Sequence, residues 1–355
     1  MTAAEWFDRQ ERIRGWDQSR LREAAVVVVG LGAIGSEVAQ NLAKLGVGRL
    51  LLCDHDVIEP SNLSRISYAA PGTVGRHKAE VAAEELGRIA PDCEVETRTR
   101  AFQSGVGLAE LREADLVFSC LDTRAERVEL NGRCNLVATP LIDGGTHPWG
   151  GEVRFFVEAD GPCFACVPGP ATGGATDPRE TCLDESEPEL LPSHIGTSAL
   201  VAAWMCTLGA RVLMGMPVQS GIVLVDCLRH RATSVAIERD PECAFHNAIG
   251  PTTLVQCSHR QTVGDLLQLL PEGACPIAWH AIPDGGYCRL CATKVRARTA
   301  APDACPECGG ELIASSTLEL ASIATDRVLG DLGVAPREIL AVDIRGEIQW
   351  FELVA

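Results

Sequence analysis

Two groups of residues in this chain have the types and spacing that chemistry needs. The first is sulfur. Cys288-Arg-Leu-Cys291 and Cys305-Pro-Glu-Cys308-Gly-Gly are two CxxC knuckles separated by thirteen residues. That is zinc-ribbon spacing, and four thiolates fill a tetrahedral ion completely, so the expected role is structural. Cys163-Phe-Ala-Cys166 and Cys243-Ala-Phe-His246 are two more knuckles, each with two intervening residues. Three thiols and an imidazole also suit zinc. Reduced thiols at a loop are the other reading, and spacing alone leaves both open.

The second group is glycine followed by spaced ions. Gly30-Leu-Gly32-Ala-Ile-Gly35 follows the β-branched run Val26–Val29 and precedes a stretch with helical spacing of apolar residues. Glycine at 30 and 32 lets the backbone turn tightly and approach a phosphate. Gly35 lets the helix pack closely on the strand, and the helix N-terminus offers amides to an anion. Asp54 ends the next buried-strand run, 24 residues after Gly30, where an acid can accept bonds from a ribose. Asn62, Arg65 and Lys78 then lie in connections that can reach the same sheet edge, and Asp122 ends a later strand, DLVFSC. A dinucleotide needs no such cations. Asn, Arg and Lys at one edge suit a triphosphate, and Asp122 suits Mg²⁺, a hard cation that prefers carboxylate and phosphate oxygens.

The elements that must hold these residues alternate. Strands at 26–29, 49–53, 94–100, 115–120 and 140–143 are separated by helical segments, Lys78–Ile89 and Arg124–Val137 among them. The pattern predicts an α/β fold: a Rossmann-like, mostly parallel sheet with helices on both faces, ligands gathering at the carboxyl ends of the strands. Strands at 150–157, 221–227 and 233–237 and a long helix from His194 to Gly215 complete it. Residues 168–192 are rich in Pro, Gly and acids and read as a crossover loop containing Cys182. Beyond residue 250 the chain reads as short strands, a helix capped at Thr262, the ribbon, a helix near Thr325–Leu332 and a terminal hairpin. Two domains are expected, 1–250 and 251–355, the ribbon occupying 285–311.

At 355 residues there is ample core. The net charge of −17, from 31 basic and 48 acidic residues, disfavours a nucleic-acid backbone or an anionic membrane as principal partner. The N-terminal residues lack the apolar segment of a signal peptide, and the apolar stretch Ser198–Met216 is interrupted by Arg211 and glycines. A cytoplasmic protein is expected, in which sixteen cysteines serve metals or catalysis before disulfides.

GLGAIG (30–35), Asp54, SNLSR (61–65), GRHK (75–78) and CLDT (120–123) carry a resemblance. In order and spacing they resemble the ThiF/MoeB/HesA family, related to the adenylation domains of ubiquitin-activating enzymes, over roughly residues 5–250. The resemblance implies that Asp54 binds the ATP ribose, that Asn62, Arg65 and Lys78 hold the phosphates, and that Asp122 binds Mg²⁺. It also implies a homodimer in which Arg9, in Arg9-Gln10 ahead of Gly15-Trp16-Asp17, acts from the partner's N-terminal arm. That arm precedes the first strand and is expected to be free to cross an interface. Relatives carry a structural zinc from equivalent knuckles, which favours zinc at Cys163, Cys166, Cys243 and His246. One departure is Ala33, where many relatives have Gly.

The reaction so implied is ATP-dependent adenylation of a carboxylate, the C-terminus of a small ubiquitin-like or sulfur-carrier protein, giving an acyl adenylate and pyrophosphate. A peptide or another small carboxylate is the alternative substrate. An NAD-dependent oxidoreductase and a non-catalytic zinc-stabilised binding protein are the alternatives of other classes. Some members of the family form a thioester or persulfide at a crossover-loop cysteine, which would be Cys182 here. The neighbouring acids Asp184, Glu185 and Glu187 would raise its pKa, and a plain loop thiol is the competing reading.

Overall fold

The computed structural model describes residues 3–166, 193–296 and 304–355. These fall into two compact units, one of residues 1–105 and 111–248, the other of 106–110 and 249–355. The acidic loop 168–192 and Cys182 lie outside the described residues.

The first unit is built on an eight-stranded sheet of order β3-β2-β1-β4-β5-β6-β7-β8. Its strands are β1 (Ala25–Val29), β2 (Arg49–Cys53), β3 (Glu94–Arg98), β4 (Leu116–Ser119), β5 (Leu141–His147), β6 (Gly150–Phe156), β7 (Gly221–Asp226) and β8 (Arg231–Ala236). β3 through β5 are parallel, and β6 through β8 continue as an antiparallel meander. Val26 to Val29 are all at most 3% exposed, as expected of a central strand covered on both faces. The helices are α1 (Ala3–Glu11), α2 (Gln18–Glu23), α3 (Ala33–Leu45), α4 (Lys78–Ile89), α5 (Phe102–Gly105), α6 (Leu108–Glu113), α7 (Arg124–Leu136) and α8 (Ile195–Leu213).

Local signals set the helix ends. α3 stops at Gly46, whose φ of +87° is the left-handed conformation that glycine tolerates. Thr123 caps α7 by accepting from the Glu126 amide, and His194 caps α8 through its ring. α8 is long and apolar enough to cross a membrane, but half of it is buried, where Val201, Ala202, Met205 and Cys206 join the central core.

Three strand boundaries differ from the sequence expectation by two residues or more. β3 ends at Arg98 rather than Arg100, β8 begins two residues early, and β5 runs to His147 rather than Asp143. The extension follows from β6: a two-residue turn at Pro148–Trp149 folds the chain back, so pairing continues to His147↔Gly150 after β4 has ended.

The second unit holds a six-stranded sheet of order β11-β10-β13-β14-β9, with β12 on β10. Its elements are β9 (Thr252–Val255), α9 (Val263–Leu269), β10 (Cys275–Cys288), β11 (Lys294–Arg296), β12 (Leu312–Glu319), β13 (Ile339–Ile344) and β14 (Glu347–Leu353). Thr262 and Asp265 form the expected capping box of α9. The terminal hairpin turns at Arg345 and Gly346, both at positive φ. The helix expected near Thr325–Leu332 is absent; only a short 3₁₀ turn, Leu329–Leu332, forms there. The carbonyls of Thr325 and Arg327 accept from Gly264 and Val263 at the start of α9, and Val328 bridges Thr262. A helix would need those backbone groups for itself.

Candidate functional site

The glycine turn joins β1 to α3 at the carboxyl edge of the parallel strands. Gly30 has φ +84°, and a Cβ there would lie 2.6 Å from the Cys120 carbonyl oxygen. A Cβ on Gly35 would meet the Gly30 carbonyl at 1.9 Å. Both positions therefore exclude a side chain. Gly32 caps α3 with no side-chain bond, and nothing lies within 4 Å of where its Cβ would be. The N-terminus of α3 thus begins at a glycine with open space beside it, an arrangement that suits an anion.

Asp54 is 8% exposed and ties the turn together. One carboxylate oxygen accepts from the Leu31 amide at 2.6 Å, the other from the Asp56 amide at 2.8 Å. The Tyr68 hydroxyl donates to the Leu31 carbonyl at 2.8 Å. Burial, with the Asp54 carboxylate adding to it, pushes that phenol well above its usual pKa, so it remains a donor. Tyr68 escaped the sequence reading because a lone tyrosine in a connection belongs to no motif.

The cations arrive through the connection from β2 to α4. Asn62 is 7% exposed, and its side-chain oxygen accepts from the Glu59 amide, which fixes the 3₁₀ turn Pro60–Asn62. The Arg65 amide bonds back to the Asn62 carbonyl. The Arg65 side chain is half-buried, with no ion pair among the described residues. Val57 bridges His77, and the Lys78 amide donates to the Asp56 carbonyl, so the first residue of α4 returns to the end of β2. Lys78 Nζ then lies 2.8 Å from an Asp56 carboxylate oxygen. Burial opposes ionisation of Asp56, but the Lys78 ammonium outweighs it and holds the carboxyl below its usual range. Asp54, His55 and Asp56 offer a third cluster of donor atoms, yet the Lys78 ammonium already stands where a cation would.

Asp122 follows β4, two residues past the Cys120 that touches Gly30. It is exposed and makes no hydrogen bond or ion pair among the described residues. Beneath it runs a buried charge network that sequence reasoning missed. Arg127 of α7 donates through Nε to the Leu121 carbonyl at 2.9 Å and through Nη1 to Asp143 at 3.3 Å. Asp143 is fully buried, accepts from the Ser119 hydroxyl at 2.7 Å, and lies 3.6 Å from Arg154, which also pairs with Glu152. The available signal was an acid inside the apolar run Leu141-Ile-Asp143, since a charge placed there demands partners.

Arg9 is not brought to this edge. Far from being free, the arm is fastened to its own chain: Gln10 Nε2 donates to the Leu45 carbonyl at 3.0 Å, and Phe7 packs where a Gly46 Cβ would go. Leu45 and Gly46 end α3, while the glycine turn begins it. Thirteen residues at ~1.5 Å each separate the two by about 20 Å. Arg9 itself is exposed on α1.

Both cysteine sets assemble. Cys163 Sγ lies 3.7 Å from Cys166 Sγ and 3.6 Å from Cys243 Sγ, and Cys166 Sγ lies 3.0 Å from His246 Nε2. In the second set Cys288–Cys308, Cys291–Cys305 and Cys308–Cys291 are 3.4, 3.7 and 3.5 Å apart. Tetrahedral zinc with bonds of about 2.3 Å to sulfur sets neighbouring sulfurs about 3.8 Å apart, so both cages fit the ion. Burial, with the Arg239 guanidinium adding to it, lowers the His246 pKa and favours the neutral ring that a metal needs. α7 braces the first set: Asn131 accepts from the Phe164 amide at 2.8 Å, and Asn135 donates to the Phe245 carbonyl at 3.1 Å.

Comparison with known proteins places these features. Residues 7–255 match the model of the ThiF family, against 5–250 read from the motifs. The molybdopterin-synthase adenylyltransferase of Escherichia coli (strain K12) is 33% identical over 242 residues, 67% of this chain and 94% of that protein. The sulfur carrier protein adenylyltransferase of Thermus thermophilus is 32% identical over 232 residues, 64% of this chain and 83% of that protein. Among solved structures, E. coli MccB with ATP superposes with a TM-score of 0.52 at 21% identity, over 64% of this chain and 68% of that one, a likeness of fold.

Proposed function

The chain belongs to the ThiF family, and we propose that it is an ATP-dependent adenylyltransferase acting on the C-terminal carboxylate of a small ubiquitin-like or sulfur-carrier protein. The reading is supported by Asp54 tied to the glycine turn, Lys78 paired with Asp56 two residues on, and Gly30 set against Cys120, two residues before Asp122. Relatives named for adenylating molybdopterin synthase and a sulfur carrier supply the substrate class.

In this reading the α3 amides and the Arg65 and Lys78 side chains hold the triphosphate, and Asp54 orients the ribose. Asn62 keeps the connecting turn in place. The substrate carboxylate oxygen attacks the α-phosphorus, the bond from that phosphorus to the bridging oxygen breaks, and pyrophosphate leaves. Charge accumulates on the phosphate oxygens, where fixed cations stabilise it. Asp122, an exposed carboxylate with no ion pair among the described residues, would hold Mg²⁺, which would neutralise phosphate charge. Lys78 exchanges Asp56 for phosphate, so the resting ion pair keeps the ammonium aimed at the site. The sulfur of a donor or thiol, for which Cys182 is this chain's candidate, then attacks the acyl carbon, the bond from that carbon to the phosphate oxygen breaks, and AMP leaves.

The two cages bind one structural zinc each. The protein works in the cytoplasm, a reading supported by described cysteines that gather in metal cages rather than in disulfides. It works as a homodimer, with Arg9 reaching the partner's site, a reading supported by the exposure of Arg9 on an arm that Gln10 fastens to Leu45, at the opposite end of α3 from its own glycine turn. The test is exchange of labelled pyrophosphate into ATP, dependent on a carboxylate-bearing substrate. Asp122→Ala is expected to abolish exchange with the urea midpoint unchanged. Full exchange in the folded variant would overturn the assignment.

A further inference from the structure

Three consecutive peptide units form the glycine turn, and each is held by a different partner. The Gly30–Leu31 unit is held by Asp54, which accepts from the Leu31 amide at 2.6 Å. The Gly32–Ala33 unit belongs to α3, because the Gly32 carbonyl accepts from the Ser36 amide at 3.0 Å. The Leu31–Gly32 unit between them is held by neither. Its carbonyl accepts from the Tyr68 hydroxyl at 2.8 Å.

That contact fixes more than a carbonyl. A trans peptide is planar, and its N–H points opposite to its C=O. No described peptide is cis. Tyr68 on one side therefore aims the Gly32 N–H to the other. The Gly32 amide has no acceptor among the described residues, and nothing lies within 4 Å of where the Gly32 Cβ would be. An unpaired donor at the head of a helix is available to an anion.

Glycine at 32 makes the tether necessary. Gly32 has φ −70° and ψ −150°. Turning the Leu31–Gly32 unit over changes that φ by about 180°, to roughly +110°, a region open to glycine and closed to nearly every other residue. The turned-over unit would present a carbonyl oxygen where the N–H had been, and its negative end repels a phosphate. The Tyr68 hydroxyl is fixed well enough to prevent this. Its ring packs against the central core. Its segment is fastened to α3, where the Ser67 amide donates to the Ser36 hydroxyl at 3.3 Å and Gln40 Nε2 donates to the Ser67 hydroxyl at 2.9 Å. Burial raises the phenol pKa, so the hydroxyl keeps its proton.

We propose that Tyr68 is a positioning residue for the nucleotide: its hydroxyl locks the Leu31–Gly32 peptide so that the Gly32 amide donates to a phosphate oxygen. This rests on the adenylation reading and adds to it a residue outside the glycine turn and the charged set. Arg65 stands three residues before Tyr68. One stretch of chain thus supplies both a cation for the phosphates and the hydroxyl that turns the backbone toward them.

Tyr68→Phe keeps the ring and removes the donor. Titration calorimetry on the full chain compares a non-hydrolysable ATP analogue with adenosine. The analogue is expected to bind about 10-fold more weakly to the variant, because one hydrogen bond to a charged group is lost. Adenosine, which has no phosphate, is expected to bind as before. A ring that only fills space would leave both affinities unchanged, and a general loosening of the turn would weaken both. Para-aminophenylalanine at position 68 restores a donor and is expected to recover the analogue affinity. The peptide itself is read by labelling with ¹³C-carbonyl leucine and ¹⁵N-glycine, which limits the amide spectrum to Leu-Gly peptides. In the wild type the Gly32 amide proton is expected to move downfield when the analogue binds, and in Tyr68→Phe that movement is expected to shrink. Equal loss for both ligands, unchanged analogue affinity in folded Tyr68→Phe, or a wild-type Gly32 amide indifferent to the analogue would overturn the proposal while leaving adenylation standing. If Tyr68→Phe does not fold, the Gly32 amide of the wild type decides. A wild-type protein that binds no ATP analogue refutes the nucleotide reading, and this proposal with it.

Discussion

Replacing Asp54 by asparagine separates two roles that one carboxylate would play. Its oxygens accept from the Leu31 amide at 2.6 Å and the Asp56 amide at 2.8 Å. Asparagine has the same shape but one oxygen. Whichever way the side-chain amide is turned, an NH₂ group confronts a backbone N–H. The site is 8% exposed, so water cannot easily repair the loss. A buried donor left unsatisfied costs about 1–3 kcal/mol. Urea unfolding of Asp54→Asn without nucleotide should show a loss of that size. Titration with a non-hydrolysable ATP analogue should show affinity falling about 5- to 150-fold, since ~1.4 kcal/mol is a factor of ten. A group that served only the ribose would weaken ATP and leave the free protein untouched. Wild-type stability in the absence of nucleotide would therefore refute the tether, and wild-type affinity would refute the nucleotide role.

Protein purified without added metal should contain two zinc ions per chain by elemental analysis, and Cys305→Ser should contain one; a single ion in the wild type would mean that one cage does not bind. Arg9→Ala and Asp122→Ala are each expected to be inactive. Mixed, they should regain up to half of the wild-type activity per heterodimer, because one of its two sites carries neither change. Confirmed subunit exchange without recovery would rule out action across the interface.

The sequence carried the backbone of this sheet edge well because its residues obey local rules. The valine run Val26–Val29, the glycines forced at 30 and 35, and an α4 that begins at Lys78 each follow from their own neighbourhood. The cysteine sets were visible for the same reason. What stayed hidden was set by contacts distant in the chain. Asp143 finds Ser119 and Arg127 only once β4 and β5 pair. Tyr68 matters because a connection folds over Leu31. The N-terminal arm resembled a free segment, since nothing near Gln10 announces a bond to Leu45. The helix expected near Thr325 gave up its carbonyls to α9, which no local propensity reports.

The two cysteine cages close very different lengths of chain. Cys166 and His246 stand 80 residues apart, whereas Cys291 and Cys305 stand 14 apart. Joining the ends of a flexible segment grows costlier by about 0.6 kcal/mol per doubling, so the first cage starts ~1.5 kcal/mol behind, about tenfold in affinity, wherever folding and loading are coupled. During synthesis the first cage must also wait, with Cys163 and Cys166 unpaired, until α8, β7 and β8 have been made. In zinc-poor cells newly made chains would fill the ribbon and leave the catalytic unit's clasp undone. Inactivity there would be a failure of maturation, with the C-terminal unit already in its final form.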